Sequence, residues 1–552
     1  MKKIKIYTLV AVMFTLLGSA SCKKDLDVKN PNQPTLDQAS NEPGIIALSL
    51  GSVYTSGFNG VDLSTLNPLG DSFFMLALSY HELLADNISS QNANQNYNII
   101  NLPDYLIDDN GLKTINQSPH KKNVRINNTR DKRGTNAFYY EWAYMYALNN
   151  GMNAVLKTAN SVKFSGDAVS RLKTIQAWAY WWKGFAYARL GSIYYAGLIT
   201  DVPGGTNNMY VSHTALIAES NRCFNLAITT LASVTSIPDY TTVLTKLIPA
   251  FLQTGNGGVL TPAQWTHNIN TMLARNILVN AKTTSLSSTD WAAISSLTAA
   301  GIQAGDPVFI GKTSAANPFF SLTTGATVLT TVGDNSASNF KISERLIQEY
   351  KAGDNRMSEN FARQQYLNSV GGLLSSTRYQ LVSAGNSIPA PVGTNLPSYI
   401  LGDYKTPGNY QLFIAGSYEE NELMKAESAI YTGQTDAGLT SVDNVRKYQG
   451  AGLPAVSGTG LTMAQALEEL RRERRVALIF RGTAFYDARR WGVIYDITQG
   501  GGRTGAVVLS STGVLSTNAT INYDFLDYWD VPADESAINT PGTGSAATVN
   551  PN

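Results

Sequence analysis

Two patterns of apolar and polar residues alternate along this 552-residue chain, and they predict different things. Over residues 136–156, NAFYYEWAYMYALNNGMNAVL, the positions Trp142, Tyr146, Asn149 and Asn153 recur at near-helical spacing with no proline, which predicts a helix. Residues 171–197, RLKTIQAWAYWWKGFAYARLGSIYYAG, are apolar on nearly every face, as expected of a helix buried among others. Its small residues Ala177, Ala179, Gly184, Ala186, Ala188 and Gly191 alternate with Trp178, Trp181, Trp182, Phe185 and Tyr187, so neighbouring helices can approach closely. Further helical periodicity covers residues 215–231, 268–282, 289–300, 341–351, 419–431, 436–447 and 462–481. The stretch YTGQTDAG at 431–438 reads as the turn of a helical hairpin, the unit from which helical solenoids are built. Tyr187, Leu190, Gly191 and Tyr194 fit half of a tetratricopeptide pattern, while Asp201-Val202-Pro203-Gly204 breaks the other half.

The second pattern is polar and lacks helical period. It fills residues 86–135, 241–262, 307–339, 368–409 and 500 to the end. Loops of such length are commonly functional or disordered. These carry Tyr97, Tyr105, Phe319, Phe320, Tyr379, Tyr399 and Tyr404 among many Asn, Ser and Thr, drawn from a total of 28 tyrosines. A sugar ring needs a flat aromatic face and a rim of amides and hydroxyls. The densest such mixture is SSQNANQNYNIINLPDY at 89–105, with Tyr97 and Tyr105 as platforms and Asn94, Gln95 and Asn98 as rim; NPFFS, with Phe319 and Phe320, is a second. An ordinary polar loop whose tyrosines pack on the body is the alternative at each position.

The amino terminus changes the picture of where the chain works. Lys2, Lys3 and Lys5 precede an apolar run from Tyr7 to Leu17 and the small residues 18–21, the layout of a secretory signal peptide. That run is shorter than the roughly 20 residues a bilayer-spanning helix requires. Cys22 follows directly. Signal peptides ending in small residues before a cysteine are typical of bacterial lipoproteins, although Ser19 stands where leucine is usual. The alternative is an ordinary signal peptide with an incidental cysteine. The one other cysteine, Cys223, reads as a buried small hydrophobe. The expected organisation is therefore a signal peptide at 1–21, a tether at 22–35, KKDLDVKNPNQPT after the acylated thiol, and one body at 36–552. Loss of the three leader lysines takes the formal charge from +1 to about −2, which argues against a nucleic-acid partner.

Several short motifs fail on spacing. HELLAD at His81 has Ala85 where a zinc-protease helix needs its second histidine, and FIGKTS at Phe309 has Asp306 where a P-loop needs glycine. IDDNG at Ile107 lacks calcium-loop spacing and reads as an Asx turn. The arginines of RRERR, with Arg481, Arg489 and Arg490, read as a structural ion-pair network using Glu468–Arg472, Glu469–Arg472, and Asp487 with Arg489 and Arg490. No stretch marks the two carboxylates of a glycosidase. No catalytic residue, metal or cofactor is assigned.

Larger blocks carry a resemblance. LMKAESAIYTGQ at Leu423, VDNVRKYQGAGLP at Val442 and RRERRVALIFRGTAFYDARRWG at Arg471, with the exit GLITDVPGG at Gly197, resemble the SusD/RagB family of outer-membrane nutrient-binding lipoproteins. Leu423, Ala426, Glu427, Asn444, Val445, Arg446, Gly452, Leu453, Glu473, Arg474, Phe480, Gly482, Asp487, Arg490 and Trp491 stand where that family usually has them. Ala477, Arg481 and Ala484 depart from its usual Glu, Glu and Arg, which predicts a different local ion pairing. The resemblance implies an all-α superhelix of tetratricopeptide-like hairpins with long irregular loops. It also implies a lipid anchor in the outer membrane at the cell surface, capture of oligosaccharides, and delivery to a SusC-like TonB-dependent transporter, without catalysis. A peptide-binding member of the family and a tetratricopeptide-type interaction scaffold are the alternative readings.

Overall fold

The computed structural model describes residues 39–54, 77–91, 96–312, 340–368, 373–381 and 411–552. Cys22, the leader, the tether, Asn94, Gln95, Phe319, Phe320, Tyr399 and Tyr404 lie outside them.

At the centre stands the helix Ala168–Ile193. Asp167 caps it by accepting a 2.7 Å hydrogen bond from the Ser170 amide. Trp178, Trp181 and Trp182 are fully buried and meet Phe309 at ring-centroid distances of 6.0, 4.4 and 5.5 Å. The small residues do what their alternation predicts. A Cβ on Gly184 would lie 2.6 Å from the Phe224 ring, and one on Gly191 2.9 Å from the His213 carbonyl, so the helix His213–Leu231 packs close against them.

On the other flank runs Ala137–Ala159, capped by Asn136. Its Asn149 and Asn153 donate to the Thr200 carbonyl at 3.0 and 2.8 Å, and Tyr187 both donates to that carbonyl and accepts from the Thr200 amide. The helix pair thereby holds the chain exit at Asp201-Val202-Pro203, where the tetratricopeptide pattern stops. A second helical layer contains Pro262–Val279, Ser288–Ala299, the hairpin Tyr418–Tyr431 and Thr435–Tyr448, and Met463–Ala477. The hairpin turn uses Gly433 at φ +83, and Gly438 lets the two helices cross, since a Cβ there would meet the Ala426 carbonyl at 2.7 Å.

The body is thus mainly helical, built on hairpins as expected, and most strands form one neighbouring group, while Phe309–Lys312 with Gln411–Ala415 and Ala196–Gly197 with Val211–Ser212 pair by themselves. Arg503–Leu509 and Leu515–Asn522 form an antiparallel hairpin that continues through Tyr105–Ile107 to Lys113–Ile115. Ile88–Ser90 pairs with Phe340–Ile342, and Phe361–Tyr366 with Thr377–Leu381. An isolated bridge from Ser376 to Leu509 ties that last hairpin to the sheet.

Three expected boundaries change. The helix predicted over 341–351 is the strand Phe340–Ile342 followed by one turn, Glu344–Ile347, because the Lys341 segment finds a partner strand distant in sequence. The stretch 241–262 begins inside the helix Ile237–Leu247, whose Tyr240, Val243, Leu244 and Leu247 form a buried stripe. The stretch 86–135 holds the helix His120–Ile126 beside its strands. Among the described residues no helix is long and apolar enough to cross a membrane.

Candidate ligand-binding site

The strand pair Ile88–Ser90/Phe340–Ile342 decides where the two amide- and aromatic-rich segments begin and end. Ser90 faces Phe340 across the ladder, so the chain leaves for residues 91–96 at the same end of the pair where it returns from 313–339. The pair is anchored by charge. Asp86, in the left-handed region at φ +59, accepts two hydrogen bonds from Arg345 at 2.8 and 2.9 Å, one from Ser343 at 3.2 Å and one from the Tyr523 hydroxyl at 2.5 Å. Burial raises the Asp86 pKa, but Arg345 more than offsets it and holds the carboxyl below its ordinary value. Asn87 accepts from the Ser343 amide, which locks the strand starts together.

Around this root the sequence-predicted residues separate. Tyr97 is fully buried, its ring packed edge-on against Phe340 at 4.8 Å and tilted against Tyr80 at 5.5 Å. It therefore offers no face to a ligand, and its role as a platform is corrected to that of a core residue. The sequence misleads here because an isolated aromatic in a polar run looks the same whether its ring turns in or out. Asn98 is half-buried on the single turn Tyr97–Ile100, and Asn96 before it is left-handed and donates to the Thr135 carbonyl. Tyr105 lies half-buried in the four-stranded sheet, with the Lys113 ammonium 3.7 Å above its ring. Tyr379 is half-buried near the guanidiniums of Arg363 and Arg378.

One aromatic escaped the sequence reading. Tyr366 is half-buried at the end of Phe361–Tyr366, and Lys341 of the anchored pair lies 4.4 Å from its ring centroid. FARQQY, with three polar residues in a row, has no alternation that would have marked it. Half-exposed tyrosines, each with a cation beside the ring, and neighbouring amides can stack on and hydrogen-bond a polar, ring-shaped ligand. They supply no general acid–base pair.

A second tyrosine-lined recess, about 460 Å³, lies between His213, Asn280, Lys282, Arg489, Tyr495 and Tyr528. Here the faces are already occupied. His213 stacks on Tyr528 at 4.1 Å, Arg489 lies 4.1 Å from the same ring, and Lys282 sits 4.0 Å from Tyr495.

The failed motifs resolve as structure. His81 is buried and meets Glu141 at 3.0 Å, with Arg189 at 2.5 Å from the other carboxylate oxygen. Asp108 accepts from the amides of Asn110 and Leu112, both at 2.9 Å, as an Asx turn. The arginine block is an ion-pair network, with two partners reassigned. Glu468 holds Arg472 at 3.1 Å as expected, but Glu469 turns to Lys351 and Arg446. Asp487 binds Arg490 at 2.7 Å and Arg474 at 2.9 Å, whereas Arg489 donates instead to the carbonyls of Ser192, Val279 and Asp527. Arg481 pairs with Glu419 at 3.3 Å and covers the Phe413 ring at 3.2 Å, a local pairing of this chain's own.

Residues 420–540 match the sequence model of the SusD family. The fold is similar to a SusD-like carbohydrate binding protein from Bacteroides vulgatus, at TM-score 0.55 and 11% identity, over 92% of this chain and 99% of that one. It is also similar to a SusD-like carbohydrate binding protein from Bacteroides fragilis, at TM-score 0.51 and 14% identity, over 84% and 97%. NanU of B. fragilis aligns at TM-score 0.50 and 10% identity, over 84% and 92%. No curated protein sequence matches the chain.

Proposed function

We propose that this chain, whose fold is SusD-like, is a carbohydrate-binding lipoprotein, held in the outer membrane through Cys22, that captures oligosaccharides at the cell surface. It passes them to a SusC-like TonB-dependent transporter and performs no chemistry on them. The observation that carries this reading is the anchored pairing of Ile88–Ser90 with Phe340–Ile342, which roots two segments rich in amides and aromatics at one place beside Lys341 and Tyr366. The names of the similar structures, two of them carbohydrate binding proteins, support the ligand class.

Calorimetry of the protein against a panel of oligosaccharides and peptides tests it. Saturable heat with a glycan, and no release of reducing ends, is the expected result. Heat with peptides alone would replace the ligand class, and new reducing ends would make the protein an enzyme. For the anchor, Cys22→Ala is expected to abolish acyl labelling in cells; labelling that persists on the variant would place the lipid elsewhere.

A further inference from the structure

Next to the strand pair, where the helix Met463–Ala477 faces Ala484–Arg490, lies a recess of about 400 Å³ whose enclosed part has room for little more than a water molecule or a monatomic ion. Its wall combines the guanidiniums of Arg471, Arg474, Arg475 and Arg503 and the Asp487 carboxylate, already paired with Arg474 and Arg490, with apolar atoms of Leu478 and Ala484.

The charges there do not balance. Arg471 takes both oxygens of Glu349 at 3.0 and 2.8 Å, yet Arg503 at 3.3 Å and Arg475 at 3.6 Å depend on the same carboxylate. Arg471 also holds Glu468, which it shares with Arg472. Arg474 takes Asp487, which is shared with Arg490, and Arg490 is completed by Glu427. Two further acids lie within electrostatic reach of Arg475: Asp86, held by Arg345, and Glu82, whose carboxyl is pushed up to about 7 by burial and accepts from Asn87 and the Phe480 amide. Among the described residues, then, the six guanidiniums of Arg471, Arg472, Arg474, Arg475, Arg490 and Arg503 form their ion pairs with the four carboxylates Glu349, Glu427, Glu468 and Asp487.

The deficit shows in individual atoms. Arg474 Nη1, Arg475 Nη1 and Arg503 Nε are buried and have no hydrogen-bond partner among the described residues. The Arg474 side chain is fully buried and that of Arg475 is 9% exposed. Arg475 makes one sound side-chain hydrogen bond, 3.0 Å to Asn87, and a longer one to the Asp86 carbonyl. Burial, with Arg503 adding to it, pushes the Arg475 guanidinium down to about 10. A buried cation short of a counter-charge is costly, and a bound anion is the direct way to complete it.

We propose that this recess is a binding site for one small monovalent anion of chloride size, held by the free N–H groups of Arg474, Arg475 and Arg503. The enclosed space admits a monatomic halide and is too tight for a tetrahedral oxyanion. Ala484 lines the recess, and its short side chain leaves the space open. The anion would take the place of a carboxylate the chain lacks, and so serve the scaffold beside the candidate glycan site.

Thermal unfolding of the protein at constant ionic strength, with chloride or bromide replacing gluconate, reads this directly. Unfolding temperature is expected to rise by a few degrees and saturate with halide concentration, as for a ligand bound by the folded state only. Crystals soaked in bromide should show an anomalous peak between Arg474, Arg475 and Arg503. Ala484→Glu, which brings a carboxylate to the recess, should remove the halide dependence. Identical curves in chloride and gluconate together with a recess empty of bromide would overturn the site. Halide dependence that survives unchanged in Ala484→Glu would overturn the location.

Discussion

Beyond the buried Asp86–Arg345 pair at its root, the strand-bearing side uses charge differently from the helical layer. Between Tyr418 and Trp491 most guanidiniums are sunk among helices and most are spent on carboxylates. Arg490 meets Glu427 and Asp487 with its side chain fully buried, and Arg356 and Arg446 converge on buried Glu473. On the strand side, cations lie against half-exposed tyrosines, as Lys113 does on Tyr105 and Lys341 on Tyr366. A buried pair is a commitment, because loss of one partner strands a charge in low dielectric. The Lys113 ammonium beside half-exposed Tyr105 commits little and can be displaced or shared by a ligand, whereas Lys341 is itself buried beside Tyr366. The difference marks the first region as scaffold and the second as the surface on which binding can be built.

The contrast can be broken most strongly from the helical side. Arg490→Ala leaves Glu427 unpaired and Asp487 with Arg474 alone, and is expected to cost about 3–5 kcal/mol in urea unfolding; a loss below about 1 kcal/mol would mean that the network is ornamental. Acid comes next. Burial raises the Glu141 pKa, but Arg189 overcomes this with buried His81 beside it, leaving the carboxyl at about 2. With the folded value below the unfolded one, this group's stabilisation is complete above about pH 4.5 and is lost as pH falls from there towards 2, on the order of 3 kcal/mol in all. Glu141→Gln should flatten the stability profile across that window, and a profile unchanged there would assign acid unfolding to other groups. The smallest effect belongs to the strand side. Tyr105→Ala should leave stability nearly unchanged and weaken glycan affinity by about 1 kcal/mol, the low end for aromatic stacking, because Lys113 already lies on the ring. Unaltered affinity would move the site towards Tyr366.

Legibility in the sequence follows the same division. Helices whose partners are near in the chain were readable from period, as with Ala137–Ala159 and Met463–Ala477, and the hairpin from its turn at 431–438. The helix Ile237–Leu247 carried its buried stripe in plain view but was masked by its run of threonines. What could not be read was any choice made by a distant partner. Lys341 became strand because Ser89 lies opposite it, Glu469 preferred Lys351 to its helical neighbour Arg472, and Tyr97 turned inward to Phe340. The candidate site consists mostly of such choices, so the sequence indicated its composition and not its members.

The joint between Asp86, Arg345 and Tyr523 also sets an order of assembly. Arg345 and Tyr523 stand 259 and 437 residues along the chain from Asp86, whereas Ser441 reaches its hairpin partner Glu422 across 19. Contacts so remote carry a large loop-closure cost and form late, after local helical pairs have collapsed. A chain emerging amino-terminus first holds its hairpins long before it holds Tyr523. The strand side is therefore expected to be the last part to acquire its shape, and a chain truncated before the final hairpin would keep helical content while lacking any surface fit to recognise a ligand.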